Sequence, residues 1–256
     1  MSQWHGEYAF AMRSLVLKDF RVRYRNMSLG VFWSLINPLI MMGVLTFVFT
    51  GIFPNQQIKN FPIFVLCGLI PFNFFALAWS SGTSSLLENT ALIKRLAVPR
   101  EIIPIASVLS NCLHLGIQIS LLLFLVLATG YGMNRYWLWL PLIWGLEVVF
   151  VMGMAMACGA LNVYIRDMRY VVESCSTILF WLVPIFYPFS FIPTRFAGIY
   201  ELNPVAALVL ASRNVLLDAK APPGSLLWKL SISSVLVFLL GWFVFQRLKR
   251  RFYDYL

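Results

Sequence analysis

"RYRNMSLGVFWSLINPL" (residues 23–39) opens on arginines and runs into an apolar stretch that continues to Phe53. A bilayer core of ~30 Å takes about 20 mostly apolar residues of helix, and residues 31–53 supply them. Five further stretches meet the same requirement: 61–80, 102–128, 137–161, 171–191 and 226–246. The whole chain has the matching composition, 60% hydrophobic and 12% charged, where soluble domains carry about 25% charged residues. The fold expected is therefore an all-α integral membrane protein with six transmembrane helices. A seventh apolar segment, 199–217, is interrupted by Asn203-Pro204 and carries Arg213; it reads as re-entrant or interfacial, not spanning, before the last span.

The net charge of +10 raises the question of a nucleic-acid partner, but the distribution of cations answers it differently. Six spans put both termini on one side. With that side as the cytoplasm, it holds fourteen of the twenty Lys and Arg residues, the asymmetry known as positive-inside. The expected location is a bacterial cytoplasmic (inner) membrane, multi-pass, with both termini cytoplasmic and no nucleic acid bound. The first 25 residues hold Arg13, Lys18, Arg21, Arg23 and Arg25 and no uninterrupted apolar core, so no cleavable leader is read there. Cys67, Cys112, Cys158 and Cys175 lie singly within spans and read as small hydrophobes.

Outside the spans, residues 3–28 read as an amphipathic interface helix. At 100° per residue, Arg13, Lys18, Arg21 and Arg25 share about 140° of arc, and Tyr8, Met12, Leu15 and Val22 cluster within about 80° elsewhere. Residues 84–100, "SSLLENTALIKRLAVPR", read as a short cytoplasmic helix with Leu86, Ile93, Leu96 and Ala97 on one face, stopped by Pro99, with Glu101 at the start of the next span. Packing alone accounts for it; so does a handle for a soluble partner. The connection "LNVYIRDMRY" (161–170) reads as a tight charged turn. The stretch "VPIFYPFSFIPTRF" (183–196) has the irregular backbone of an outer mouth. No internal repeat divides the chain, so one domain is expected over 1–256: interface helix 1–30, spans one to five over 31–191, an external region 192–225, and the last span with its basic tail 226–256.

Catalytic chemistry is not evident. No glycine is followed by lysine, which excludes a Walker A phosphate loop, and no paired carboxylates or metal-ligand set lie at membrane depth; the chain reads as a non-enzyme with no metal. Near the bilayer centre only Glu147 and His114 ionise. Asn111, His114 and Gln118, at i, i+3 and i+7, form one polar stripe, and Glu147 is expected to hydrogen-bond it, most simply through His114. An interhelical clasp and a polar lining for a hydrophilic cargo both fit. Phe180, Trp181, Phe186 and Tyr187 along the expected fifth span fit lipid-facing packing, or ring faces on which sugars stack.

Four landmarks in order, "RYRNMSLGVFWSLINPL", "LIKRLAVPREIIPIA" (92–106), "ALNVYIRDMRYVV" (160–172) and "LNPVAALVLASRNVLL" (202–217), resemble the type-2 ABC permeases that export polysaccharides, among them the O-antigen and teichoic-acid exporters. The resemblance spans nearly the whole chain. It implies a homodimer of six-span subunits docked on two separate ATPase subunits, which bind the ATP and Mg; this chain then carries no cofactor. It implies that 84–100 is the coupling helix, with Leu92, Ile93, Lys94, Arg95 and Leu96 meeting the ATPase and Pro99, Arg100 and Glu101 fixing the join. Asn203, Pro204 and Arg213 fall in the family's external re-entrant helices. Spans one and five would line the channel, with Trp33, Asn37, Phe180, Trp181, Phe186 and Tyr187 as its candidates. Arg21, Arg23 and Arg25 suit a pyrophosphate headgroup at the cytoplasmic entrance. The implied cargo is a polyprenyl-pyrophosphate-linked, O-antigen-like glycan; wall-teichoic-acid or capsule export is the alternative. Behind these stand a drug or lipid exporter of the same plan, a membrane-embedded polyprenyl-phosphate transferase, for which acidic metal ligands are missing, and a secondary transporter, disfavoured by the scarcity of intramembrane acids.

Overall fold

The computed structural model describes residues 8–255 except 26, 53–57, 96–98, 194, 197, 199, 201 and 202, and of residues 95, 253 and 254 the backbone alone. Among the described residues there are helices and no strands. The α-helices are α1 (Tyr8–Tyr24), α2 (Trp33–Thr46), α3 (Phe61–Glu88), α4 (Thr90–Arg95), α5 (Ile102–Ala128), α6 (Leu140–Tyr164), α7 (Met168–Leu182), α8 (Pro204–Leu216), α9 (Gly224–Leu248) and α10 (Phe252–Tyr255). Short 3-10 turns precede α2 and α6, and α2 continues as a π-helix over Phe47–Ile52.

Five of these segments are long and apolar enough to cross a membrane: Gly30–Ile52, Phe61–Glu88, Ile102–Ala128, Arg135–Tyr164 and Gly224–Arg251. They coincide with five of the six expected spans. The expected fifth span, 171–191, has a different form. Helix α7 stops at Leu182 after 15 residues, about 22 Å at 1.5 Å per residue, short of the ~30 Å core. The cause is Pro184, whose ring forces the preceding Val183 into extended backbone (φ −71°, ψ 136°).

Helix α3 is the centre of the molecule, buried along most of its length and packed on α5, α6, α2, α7 and α8. Lipid tails give apolar side chains no reason to leave them, so helices in a bilayer approach through small residues. Gly82 of α3 faces Ala155 of α6 so closely that an added Cβ would stand 2.5 Å from the alanine's own. On the other side of α6, Gly153 meets the backbone of α9 at Val237 and Phe238, and Gly241 meets Gly153 in return.

The cytoplasmic helix expected over 84–100 is divided. Residues 84–88 continue α3, Asn89 breaks the run, and α4 occupies Thr90–Arg95. Side chains at the break supply what the backbone loses: Thr90 Oγ1 donates to the Leu87 carbonyl (2.6 Å) and Asn89 Nδ2 to that of Ser85 (2.8 Å). Leu96 and Ala97 lie outside the described residues.

Helix α1 forms as expected but is packed on α5. Leu15 is buried and Met12 and Val16 lie against it, whereas Tyr8 and Val22, assigned by periodicity to the same face, are exposed. The helix rests on protein through a narrower stripe than its sequence period indicates.

Candidate functional site

Consecutive residues at the end of α1 turn inward onto the polar stripe of α5. Arg23 Nη1 donates to Asn111 Oδ1 at 2.5 Å. Asn111 is fixed in that orientation because its amide nitrogen already serves Ser81 Oγ and the Ser107 carbonyl, both at 2.8 Å. The hydroxyl of Tyr24 bonds His114 Nδ1, with the two rings stacked. On the far side of that ring, Gln118 Nε2 lies 3.1 Å from His114 Nε2 and 3.0 Å from the Ser34 carbonyl. An amide nitrogen donates to both, so His114 Nε2 accepts, Nδ1 carries the ring proton, and Tyr24 receives it. The tyrosine's own hydrogen is left for Ser34 or for a guest molecule.

These groups form one wall of an open cavity of ≈ 830 Å³ lined by α1, α2, α3, α5 and α7, a volume typical of small-molecule sites. Trp33, Asn37 and Pro38 of α2 line a second wall, with Asn73 and Ser80 of α3 behind them. Glu173, Ser176, Thr177 and Phe180 of α7 complete it. Burial pulls the Arg23 guanidinium below its ordinary value, against the opposing pull of Tyr24, Asp19 and Glu88; burial likewise raises Tyr24, partly offset by Arg23. The one carboxylate on the cavity wall, Glu173, is already engaged by Arg169 Nε at 3.0 Å. Arg23 is thus a half-buried cation with a neutral acceptor, facing a space of mixed polar and aromatic character.

The structure sorts the sequence-derived residues. Trp33, Asn37, Phe180, Arg23, His114 and Gln118 are brought to the cavity, with Asn111 behind Arg23. Arg21 and Arg25 are not: they lie with Lys18 along a groove on the outer face of α1. Trp181 is exposed on α7, Phe186 is buried in the main core, and the Tyr187 hydroxyl donates to the Leu182 carbonyl (2.6 Å). Sequence reasoning missed Tyr24, Asn73, Ser176 and Thr177 as lining. A signal for Arg23 did exist: at 100° per residue it falls about 20° from Met12, on the apolar side of α1 and away from its fellow cations.

Glu147 does not reach the Asn111–His114–Gln118 stripe, contrary to expectation. It is fully buried in the span α6, and neither carboxyl oxygen has a hydrogen-bond partner among the described residues. The reason is facing: the stripe is turned to α1, α2 and α3, whose Arg23, Tyr24, Ser34 and Ser81 bond it. Glu147→Gln is accordingly expected to leave folded yield and activity within about twofold, because no partner is lost and an amide cannot ionise in hydrocarbon. Detergent-extracted yield and complementation of a deletion strain check this; a collapse of either contradicts it.

On α4, Ile93 is buried and Lys94 exposed, with Leu92 between. The Arg95 side chain and Leu96 are outside the described set. The Pro99 carbonyl accepts from Ile102 N (3.1 Å), Arg100 donates to the Lys249 carbonyl, and Glu101 lies 3.5 Å from Lys249 Nζ. Beyond α7, Asn203 caps α8 by accepting from Val205 N (3.1 Å), and Pro204 takes its first position. Arg213 is buried; it donates to the carbonyls of Phe64 (3.1 Å), Pro184 (2.5 Å) and Ile185, over the face of the Phe64 ring.

The family model described as ABC-2 type transporter matches residues 11–217. The O-antigen export system permease protein RfbA of Klebsiella pneumoniae is 30% identical over 244 residues, 93% of this chain and 92% of the relative. Its namesake in Myxococcus xanthus is 26% identical over 248 residues, covering 96% and 95%. The polysialic acid transport protein KpsM of Escherichia coli is 23% identical over 235 residues, 90% of each chain.

Proposed function

This chain belongs to the ABC-2 type transporter family, and from that premise we propose that it is the membrane permease subunit of an ATP-driven exporter of polysaccharide. It is a transport subunit in this reading; ATP and Mg are bound and hydrolysed by a separate ATPase pair gripped at α4. Two copies of the chain form the conduit. The apolar faces of α2 with its flanking turns (Phe32, Ile40, Val44, Phe47) and of α7 (Ile178, Trp181, Leu182) are exposed, and both helices line the open cavity, so a second copy covers both and closes it. Helix α7 with the non-helical residues 183–188 makes the sixth crossing, which keeps both termini in the cytoplasm of the inner membrane; Arg213 supplies donors to the freed carbonyls of Pro184 and Ile185.

The observation that carries the reading is the cavity itself. It combines a half-buried guanidinium, a row of amide and hydroxyl groups, and the rings of Trp33 and Phe180. Such a set suits a cargo with an anionic head, many hydroxyls and apolar ring faces: a glycan on a polyprenyl pyrophosphate. Arg23 and Tyr24 meet the phosphate, the stripe on α5 meets sugar hydroxyls, and the lipid stays in the bilayer. O-antigen-like glycan is the substrate best supported by the RfbA relatives; the polysialic acid transport relative supports a capsule-type polymer as the second reading.

In a deletion strain the chain is expected to restore surface polysaccharide, and Arg23→Gln to restore about a tenth as much, the loss of one charge-assisted phosphate contact, with ATPase co-purification intact. Arg21→Gln and Arg25→Gln are expected to stay near wild type. Unchanged surface polymer on deletion removes the export reading, and full activity of Arg23→Gln removes the role of the cavity.

A further inference from the structure

Below the main core lies a second, smaller one. It joins Leu15 of α1, Ile93 of α4, Ile102 of α5, Val163 of α6, and Phe245 and Phe252 from the C-terminal end. The tail that follows α9 begins Lys249-Arg250-Arg251, a sequence that ordinarily runs out into water. Here it is held. Phe252 is fully buried, edge-on to Phe245 with centroids 5.6 Å apart. The Tyr164 hydroxyl donates to the Leu248 carbonyl at 2.7 Å. Arg100 donates to the Lys249 carbonyl and stands 5.9 Å over the Phe252 ring, and Glu101 pairs with the Lys249 ammonium.

Two of these grips, Arg100 and Glu101, belong to the join between α4 and α5. The buried side chain of α4, Ile93, enters the core that the C-terminal turn floors. The same core takes in Leu15, and Arg23 lies eight residues further along α1, about 12 Å at 1.5 Å per residue. We propose that the C-terminal turn is the seat of α4, and that Phe252 is a positioning residue through which displacement of α4 reaches α1 and the cavity wall. This rests on the reading of α4 as the ATPase contact. A push on α4 with the seat intact moves a packed unit; with the seat hollow, it deforms locally and is lost.

The test uses the permease–ATPase complex in vesicles of host phospholipid for ATP hydrolysis, and the same variants in cells for surface polysaccharide. Phe252→Ala is expected to keep hydrolysis within about twofold and to lower surface polymer about tenfold, a coupling loss of ordinary size, and Phe252→Leu to recover most of it. Arg100→Gln, which leaves the aromatic core filled, is expected to show the same split more weakly, and it decides the matter if Phe252→Ala proves poorly folded. Wild-type surface polymer in both Phe252→Ala and Arg100→Gln overturns the proposal, as does equal loss of hydrolysis and export. The underlying reading fails separately: Lys94→Glu, on the exposed face of α4, is expected to abolish ATPase co-purification, and retention there removes α4 as the contact whatever Phe252 does.

Discussion

Gly153→Leu yields no folded protein. A Cβ at Gly153 would stand 2.5 Å from Phe238 Cα and 2.5 Å from the Val237 carbonyl oxygen, and one at Gly241 2.0 Å from the Gly153 carbonyl oxygen. Every one of these neighbours is backbone, so no side chain can swing aside and α6 and α9 must separate. Those helices form the longest shared face in the molecule. The cost is expected at the upper end of overpacking, roughly 3 kcal/mol or more, and is seen as loss of the monodisperse peak in detergent size-exclusion. Gly145→Leu on the same helix is the control, since nothing lies within 4 Å of a Cβ there; it should melt within about 2 °C of wild type, as surface substitutions do. Equal behaviour of the two variants would show that the α6–α9 contact does not limit stability.

Arg213→Ala should be nearly as damaging. Helix α7 ends at Leu182, ahead of Pro184, which leaves the carbonyls of Pro184 and Ile185 without helical donors, and the Arg213 guanidinium supplies them together with a bond to Phe64. An unserved buried acceptor costs about 1–3 kcal/mol, so three of them, roughly 3–9 kcal/mol together, take up much of the ~5–15 kcal/mol by which folds are stable. Lysine should rescue little, because a single ammonium cannot reproduce a planar fork aimed at separate carbonyls. The readout is thermal melting in detergent beside folded yield. A stable, active Arg213→Ala would mean that the break at Pro184 needs no such brace.

Arg213 also marks the limit of sequence reasoning. Its position in an interrupted apolar segment was legible; that it closes the break of another helix, 28 residues earlier in the chain, was not. The five long spans were legible because a bilayer sets their length; Asn203-Pro204 was legible only as an interruption of an apolar segment, where the structure makes it the cap and first residue of α8. Phe186 and Tyr187 were assigned to a lining from their aromatic character and their place in the expected fifth span. Aromatic character does not distinguish a ring in a wall from a ring in a core, and Phe186 is in the core.

The sequence by itself determined the five long apolar helices to within a few turns, and which residues carry charge or polarity along them, because those properties depend on nearby residues in the chain. Only the tertiary structure decided what each face meets. Arg23 lines the cavity while Arg21 and Arg25 do not, Glu147 misses the stripe meant for it, and the basic tail returns to floor a second core. The physical reason is that burial in an all-helical membrane fold is settled by the rotation of each helix about its axis. Backbone contacts such as Gly153 on α9, made across almost ninety residues of chain, fix that rotation.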